Sequence, residues 1–148
     1  MTFFAFEADF VDALRCIPMM VRYNLDRCGV KLKLQHWHQF SLTERQHLTH
    51  QPCQTPAEIL AYRQILRDLV WQYNQGYPAD LPIPEPFPWD LPTIPEEVQH
   101  QAQSVSITIT PHQWQALTSL QKFALLKLSR SNHENNNFLP ACGEFGLI

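Results

Sequence analysis

The sequence predicts a mainly α fold: a compact helical bundle with a proline-rich strap and a small two-stranded β-ladder. The chain has 148 residues, which suits a single domain over residues 1–148, because a chain of this size buries roughly 68–70% of its unfolded surface. One long segment has a clear helical period, and seven of the twelve prolines are concentrated in the segment YPADLPIPEPFPWDLPTIP. These three observations fix the predicted fold class.

Composition and charge narrow the classes of function. Apolar residues make up 45% of the chain and its net charge is −3, which indicates a folded protein and argues against a general nucleic-acid binder. No apolar run approaches the ~20 residues that span a bilayer, and the first residues carry acids where a signal peptide carries bases. We expect a cytoplasmic protein, without a membrane partner, whose four cysteines are thiols.

The charged residues are unevenly distributed. No Lys or Arg occurs between Asp68 and Lys122, whereas five of them crowd the first quarter of the chain. Such an asymmetry could steer a charged partner. The favoured alternative is that the two oppositely charged parts of the chain meet and neutralise each other.

Two helices are predicted near the start of the chain. The first has Glu7 on its polar face and an apolar face at helical spacing, formed by Phe6, Phe10, Val11 and Leu14. Pro18 disfavours helix at the preceding residue and can open a second helix. Gly29 supplies the stop signal of that second helix.

The longest helix is predicted from Thr55 to Gly76. Thr55 is its N-cap and Glu58 completes a capping box. Its buried stripe is Ile59, Tyr62, Leu66, Leu69 and Tyr73. The prolines that follow favour an extended strap, and its apolar residues indicate that the strap packs over the helices, although a docking segment is the alternative.

Two segments of the chain resemble each other. VKLKLQHWHQFSLTERQHL aligns with SITITPHQWQALTSLQKFAL when Trp37 is placed on Trp114. Each predicts an extended piece, a Trp-bearing helical turn, a corner and a capped second helix. The two extended pieces could pair as the small ladder.

The sequence contains few motifs of catalysis. The cysteines form no CxxC pair, so they are expected to be packing thiols, with Cys16 the exception to watch because Arg15 and a helix start lie close to it. ERQHLTH is a possible metal face, but a solvated surface is favoured. No glycine-rich phosphate loop or GxSxG elbow occurs.

The tail SRSNHENNNFLPACGEF follows a very apolar helix. Its polar residues are typical of helix caps and turns, and Phe138, Leu139 and Phe145 are predicted to anchor it to the body. Cys142 is expected to be a buried packing thiol. A hydrogen-bonded plug is favoured here over a catalytic pair formed by His133 and Glu134.

Three blocks of the sequence resemble the nitrate-reductase-associated protein family, which is small and mainly cyanobacterial. They are FEADFVDALRCIPMMVRYNLD, TPAEILAYRQIL and LQKFALLKLSRSNHENNNFLPACGEFGL. The resemblance runs from Phe6 to Leu147. It implies an accessory protein that is not itself an enzyme, and that the molybdenum-dependent, ferredoxin-linked nitrate reductase needs in order to be active.

The positions that match these blocks supply a candidate partner-binding set. Its members are polar residues of the first and last blocks, namely Arg15, Arg22, Arg130, His133, Glu134, Asn135 and Asn137. If they act together, the two ends of the sequence have to meet on one surface. The resemblance implies no cofactor of the protein's own, and it leaves the oligomeric state open.

Three functions remain. The first is a maturation factor that binds nitrate reductase, helping its cofactor-insertion machinery or holding a competent conformation. The second is a permanent small subunit, or an electron-transfer adaptor that brings the reductase and ferredoxin together. The third, ranked lowest, is a small metal-dependent enzyme or metal sensor that uses His133, Glu134 and a cysteine.

Overall fold

Helices dominate the computed structural model, which describes residues 3–8, 13–130 and 135–148. The described residues contain eight α-helices: α1 (Met19–Cys28), α2 (Leu34–Gln39), α3 (Leu42–His50), α4 (Pro56–Asn74), α5 (Glu96–Ser104), α6 (Pro111–Ala116), α7 (Ser119–Arg130) and α8 (Phe138–Glu144). Short 3-10 turns lie at Ala5–Glu7, Pro88–Asp90 and Asn135–Asn137, and two short strands are β1 (Val30–Lys31) and β2 (Ala79–Asp80). The predicted mainly α fold with a small ladder is confirmed.

The residues group into two compact units. Unit 1 comprises Met1–Phe3 and Glu7–Ile83, and unit 2 comprises Phe4–Phe6 and Pro84–Ile148. That one domain covers residues 1–148 stays a prediction. Within the part of the chain that the structure describes, no helix is both long enough and apolar enough to cross a membrane.

Helix α4 provides the centre of unit 1. Tyr62 and Leu66 of the predicted stripe are fully buried, and Ile59 and Leu69 are partly buried. Val70, which the prediction left out, is also fully buried. The hydroxyl of Tyr62 donates to the Leu48 carbonyl over 2.8 Å, so its polar end is satisfied inside the core. Tyr73 was expected on the same stripe but is partly exposed, because its hydroxyl donates to the Glu44 carboxylate at the surface.

The start of α4 agrees with its prediction, whereas its end does not. Thr55 and Glu58 form the predicted capping box. The helix ends at Asn74, and Gln75 rather than Gly76 takes the left-handed conformation, with φ 54°. The assignment of the stop to Gly76 was therefore wrong by one residue.

The ladder uses a partner that the sequence pattern did not predict. β1 pairs antiparallel with β2, Val30 opposite Asp80 and Lys31 opposite Ala79, whereas the predicted partner was the extended piece at residues 107–109. Asp80 is held by Arg63, whose Nη2 lies 2.7 Å from its carboxylate.

Gly29 allows the ladder to start directly after α1. It adopts φ +72°, and its carbonyl accepts the Leu81 N–H over 2.8 Å. A Cβ at this position would come within 3.0 Å of both the Leu81 carbonyl and the Ile83 side chain. The close approach of these two backbone segments therefore depends on glycine.

The internal repeat is confirmed at the level of local structure. The α2–α3 pair and the α6–α7 pair each consist of a six-residue helix, a corner and a second helix with a capping box, at Ser41 in one and Thr118 in the other. Trp37 and Trp114 are fully buried. The indole N–H of Trp37 donates to the Leu14 carbonyl over 2.6 Å, whereas that of Trp114 has no hydrogen-bond partner among the described residues.

The opening segment differs from its prediction. The described part is a short 3-10 turn, while Phe10 and Val11 of the predicted apolar face lie outside the described residues. Glu7, expected on the polar face, is only 1% exposed. Its carboxylate accepts the Met19 N–H over 2.7 Å, where it satisfies a donor at the start of α1 and interacts favourably with the helix dipole.

The proline-rich strap packs only in part as predicted, since its apolar residues Ile83 and Leu91 are exposed. In unit 2 its Trp89 is buried, stacks on Phe87 with ring centroids 4.6 Å apart, and meets the edge of Phe123 on α7 at 5.0 Å. The following segment contains α5, a helix that the sequence pattern missed. Its polar sequence gives it only a narrow apolar stripe, at Val98 and Ala102.

The repeat provides an internal comparison for the hydrogen bond of Trp37. Trp37→Phe leaves the Leu14 carbonyl without its buried donor, whereas Trp114→Phe removes a donor that has no partner in the described residues. We expect Trp37→Phe to lower the free energy of unfolding by about 1–2 kcal/mol more than Trp114→Phe. Urea titrations followed by circular dichroism measure both, and equal losses would contradict the assignment.

Candidate partner-binding surface

The first block of the predicted site surrounds the start of α1. Pro18 is the N-cap of this helix and not its first residue, so α1 begins at Met19, one residue later than predicted. Arg22 is half-buried, and its Nε donates to the Ile17 carbonyl over 3.0 Å. Arg15 is exposed, and His38 Nε2 lies 2.9 Å from its carbonyl. Arg22 therefore braces the turn into α1, while the Arg15 side chain projects from that turn.

The last block of the predicted site follows α7. Arg130 is the final residue of α7, and its Nη2 lies 3.3 Å from the Glu97 carboxylate on α5. Both side chains are about half exposed, so this ion pair contributes at most about 1 kcal/mol. Arg130 can therefore exchange Glu97 for a carboxylate of a partner at little cost in stability.

The remaining predicted residues lie in the polar tail. Asn135 and Asn137 belong to the 3-10 turn before α8. Asn137 is half-buried and stands at the N-cap position of α8, but its side chain makes no capping hydrogen bond to that helix. His133 and Glu134 lie outside the described residues. Arg15 and Arg22 belong to unit 1, whereas Arg130, Asn135 and Asn137 belong to unit 2. That all of these residues form one surface stays a prediction.

The tail folds into a helix and docks within unit 2. Phe138 and Cys142 of α8 are fully buried, as predicted, but Leu139 is exposed because it lies on the outer face of that helix. Phe145 meets the edge of Phe4 at 5.0 Å, and the Ala5 N–H donates to the Glu144 carboxylate over 2.7 Å. The start of the chain therefore pins its end.

Three of the four thiols are buried. Burial raises the pKa of Cys28 to about 12, and the pKa values of Cys53 and Cys142 to about 11. These thiols stay protonated near neutral pH, which makes them poor nucleophiles. Cys16, the cysteine that the sequence singled out as the exception, is exposed, and the expectation of packing thiols is confirmed for the other three.

The histidine-rich segment of α3 is used for capping. Its Glu44 accepts hydrogen bonds from the Ser41 N–H over 2.8 Å and from the Tyr73 hydroxyl over 2.6 Å. His50 Nδ1 lies 2.8 Å from the Gln46 carbonyl. Over residues 3–8, 13–130 and 135–148, no group of three or more His, Cys, Asp and Glu side chains is placed to hold a metal ion.

The outer face of α4 carries exposed apolar and aromatic side chains. Leu60 and Trp71 are 68% and 48% exposed, on a helical face that they share with Arg67. The Arg67 guanidinium lies over the ring of Tyr77 at 4.2 Å, which holds that exposed ring beside the face. Trp, Tyr and Arg are the residue types most enriched where protein partners bind tightly. We refer to Leu60, Arg67, Trp71 and Tyr77 as the α4 face.

A groove of about 490 Å³ adjoins the α4 face within unit 1. It is lined by Cys28, Gly29, Ile59, Leu60, Arg63, Asp80, Leu81 and Ile83. Arg63 defines one wall, since its Nη1 donates to the Cys28 and Gly29 carbonyls while its Nη2 holds Asp80. Because Arg63 and Asp80 pair with each other, the rest of the groove lining is mainly apolar. The groove is therefore suited to apolar side chains.

Sequence reasoning missed the α4 face, although a signal for it was present. Leu60 and Trp71 lie off the buried stripe of an amphipathic helix, and large apolar residues in such positions are candidates for partner contacts. The groove left no comparable signal, because it depends on the return of the chain at Leu81 and Ile83 to the end of α1.

The thiols should differ sharply in reactivity. At pH 8 we expect the native protein to release one equivalent of thionitrobenzoate rapidly from Ellman's reagent, from Cys16, because only this thiol is exposed. After unfolding in guanidinium chloride all four should react. Cys16→Ser should abolish the rapid phase, and rapid release of two or more equivalents from the native protein would contradict the burial of the other three.

Comparison with known proteins supplies the context for these surfaces. The family model described as conserved nitrate reductase-associated protein matches residues 3–145. No curated protein matches the chain, and no solved structure matches it either. The family match covers nearly the whole sequence, including both blocks of the predicted site, and the chain therefore belongs to the conserved nitrate reductase-associated protein family.

Proposed function

We propose that this protein binds nitrate reductase and supports the activity of that enzyme as a non-catalytic accessory factor. The observation that carries this proposal is membership of a family described as associated with nitrate reductase, over residues 3–145. The exposed aromatic residues of the α4 face support it, since they are the residue types that make protein contacts.

The proposed partner is the molybdenum-dependent, ferredoxin-linked assimilatory enzyme, and the proposed step is its maturation. The accessory factor would bind the immature reductase, either during insertion of its molybdopterin or iron–sulfur cofactor or to hold a conformation that accepts it. A factor of this kind acts by binding and needs no catalytic group of its own. The alternative, a stable small subunit or a ferredoxin adaptor, differs in whether it stays bound.

Two sets of residues are proposed as contacts. The first is the polar set from the matched blocks, Arg15, Arg22, Arg130, His133, Glu134, Asn135 and Asn137. The second is the α4 face. Arg130 is suited to a partner carboxylate because its own ion pair with Glu97 is weak, while Trp71 and Leu60 offer apolar area.

Removal of the protein tests the maturation role. Nitrate reductase purified from cells that lack this protein should have little activity and a lowered molybdenum or iron content, because cofactor loading is the proposed step. Enzyme purified from complemented cells should be active and carry far less than one copy of this protein per reductase. Stoichiometric co-purification would instead identify a subunit, and a fully active reductase without the protein would refute the proposal.

The α4 face can be tested by replacement of its exposed residues. We expect Trp71→Ala combined with Leu60→Ala to weaken capture of nitrate reductase about 30-fold, the loss typical of two or more kcal/mol at an interface hot spot. Both side chains are substantially exposed, so folding should be unaffected.

Leu34 and Leu42 provide the matched control for the α4 face. They are also large, exposed apolar residues of unit 1, at 51% and 46%, but lie on other helices. Their double replacement by alanine should leave capture unchanged. Equal effects of the two double variants would show that the α4 face has no special role, and would leave the accessory role to be judged by the deletion experiment.

A further inference from the structure

Residues 107–109 form an extended segment whose backbone is mostly unpaired. Ile107 and Ile109 are buried on one side, while Thr108 is exposed. The Ile107 N–H donates to the Ala102 carbonyl over 2.8 Å. Among the described residues, no hydrogen bond reaches the N–H or carbonyl of Thr108 or Ile109. The segment therefore has the form of a strand with a free edge.

The end of α5 fixes the direction of this free edge. Ser106 takes the left-handed conformation with φ 61°, its N–H donates to the Gln103 carbonyl, and the next N–H donates to Ala102. This is the hydrogen-bond pattern of a Schellman motif. Since alternate residues of a strand direct their N–H groups to the same side, the free N–H of Ile109 points to the side on which Ile107 meets α5.

A groove runs between α5 and this free edge. It has a volume of about 260 Å³ and is lined by Gln99, Ala102, Gln103, Ile107, Thr108 and Ile109. Ala102 and the two isoleucines make its apolar surface, and the other lining residues are uncharged. The volume is below the range of about 300–1,000 Å³ typical of small-molecule clefts, and it suits the side chains of an extended peptide.

The charge at the groove selects for a basic occupant. Glu96 lies on the same face of α5 as Gln99 and Gln103, at helical spacing. It is exposed and has no ion-pair partner in the described residues, unlike Glu97, which pairs with Arg130. No Lys or Arg occurs between Asp68 and Lys122, so this carboxylate is available to a cation from outside.

We propose that this groove binds an extended segment of a partner protein that carries alternating aliphatic and basic residues. The segment adds as a β-strand to the free edge at Ile109, in the manner of other strand-addition complexes. Its aliphatic side chain lies against Ala102, and its Lys or Arg side chain pairs with Glu96. This proposal does not depend on the identity of the partner and is separate from the polar set and the α4 face.

The full chain labelled with ¹⁵N and titrated with the probe peptide acetyl-(Lys-Val)₃-amide tests the groove by NMR. We expect amide shifts at Gln99, Gln103 and residues 107–109, with the Ile109 amide moving downfield as it becomes hydrogen-bonded. Acetyl-(Glu-Val)₃-amide should bind more weakly. N-methylation of alternate residues of the basic peptide should abolish the shifts, because the methyl groups remove the donors that strand pairing requires.

Adjacent carboxylates of α5 give the matched variants. Glu96→Gln should weaken peptide binding about threefold, as expected for one exposed ion pair. Glu97→Gln should leave it unchanged. Absence of shifts at the groove, equal binding of the acidic peptide, or an equal effect of the two variants would overturn the proposal. So would shifts of the same amides on dilution without peptide, since a second copy of the chain would then be the occupant.

Discussion

Satisfying the ends of short helices is the constraint on which both units depend. A helix leaves its first four N–H groups and last four carbonyls without internal partners, so the six-residue helices α2 and α6 consist mostly of such groups. Side chains supply the partners. Arg45, in the second helix of the first repeat, donates from Nε to the Trp37 carbonyl and from Nη2 to the His38 carbonyl. The repeat is therefore held together at its corner and does not rely on helix length for stability.

The same constraint explains which parts of the fold could be predicted. Capping boxes at Thr55 and Thr118 involve residues three apart, so they are visible in the sequence. Glu7 accepts the Met19 N–H at the start of α1, and Arg63 donates to the Cys28 carbonyl at its end. These partners are 12 and 35 residues apart in the sequence. Such partners are set by tertiary structure, and this is why Glu7 was expected at the surface and why the partner of β1 was misassigned.

The candidate site was predictable to a smaller extent than the fold. Arg15 and Arg130 were identified by the resemblance and are exposed, whereas Arg22 has a bracing contact that no sequence spacing reveals. The SITIT pattern correctly indicated an extended segment, but an alternating pattern specifies a buried face and not a pairing partner. Ile107 and Ile109 use that face to pack, which leaves the strand edge free.

The charged residues are distributed unevenly between the two units. Unit 1 contains eight acidic and eight basic residues, whereas unit 2 contains six acidic and three basic ones and so carries the net charge of −3. The three cations of unit 2 all lie on α7 and have contacts within the unit: Lys122 with the Trp114 ring, Lys127 with the Phe123 ring and Arg130 with Glu97. Exposed acids therefore dominate its outer surface.

Charge complementarity mainly raises association rates, while buried apolar contacts mainly set the lifetime of a complex. On this division the acidic surface of unit 2 would accelerate encounter with a basic partner, and the aromatic and apolar side chains of the α4 face would determine how long the complex lasts.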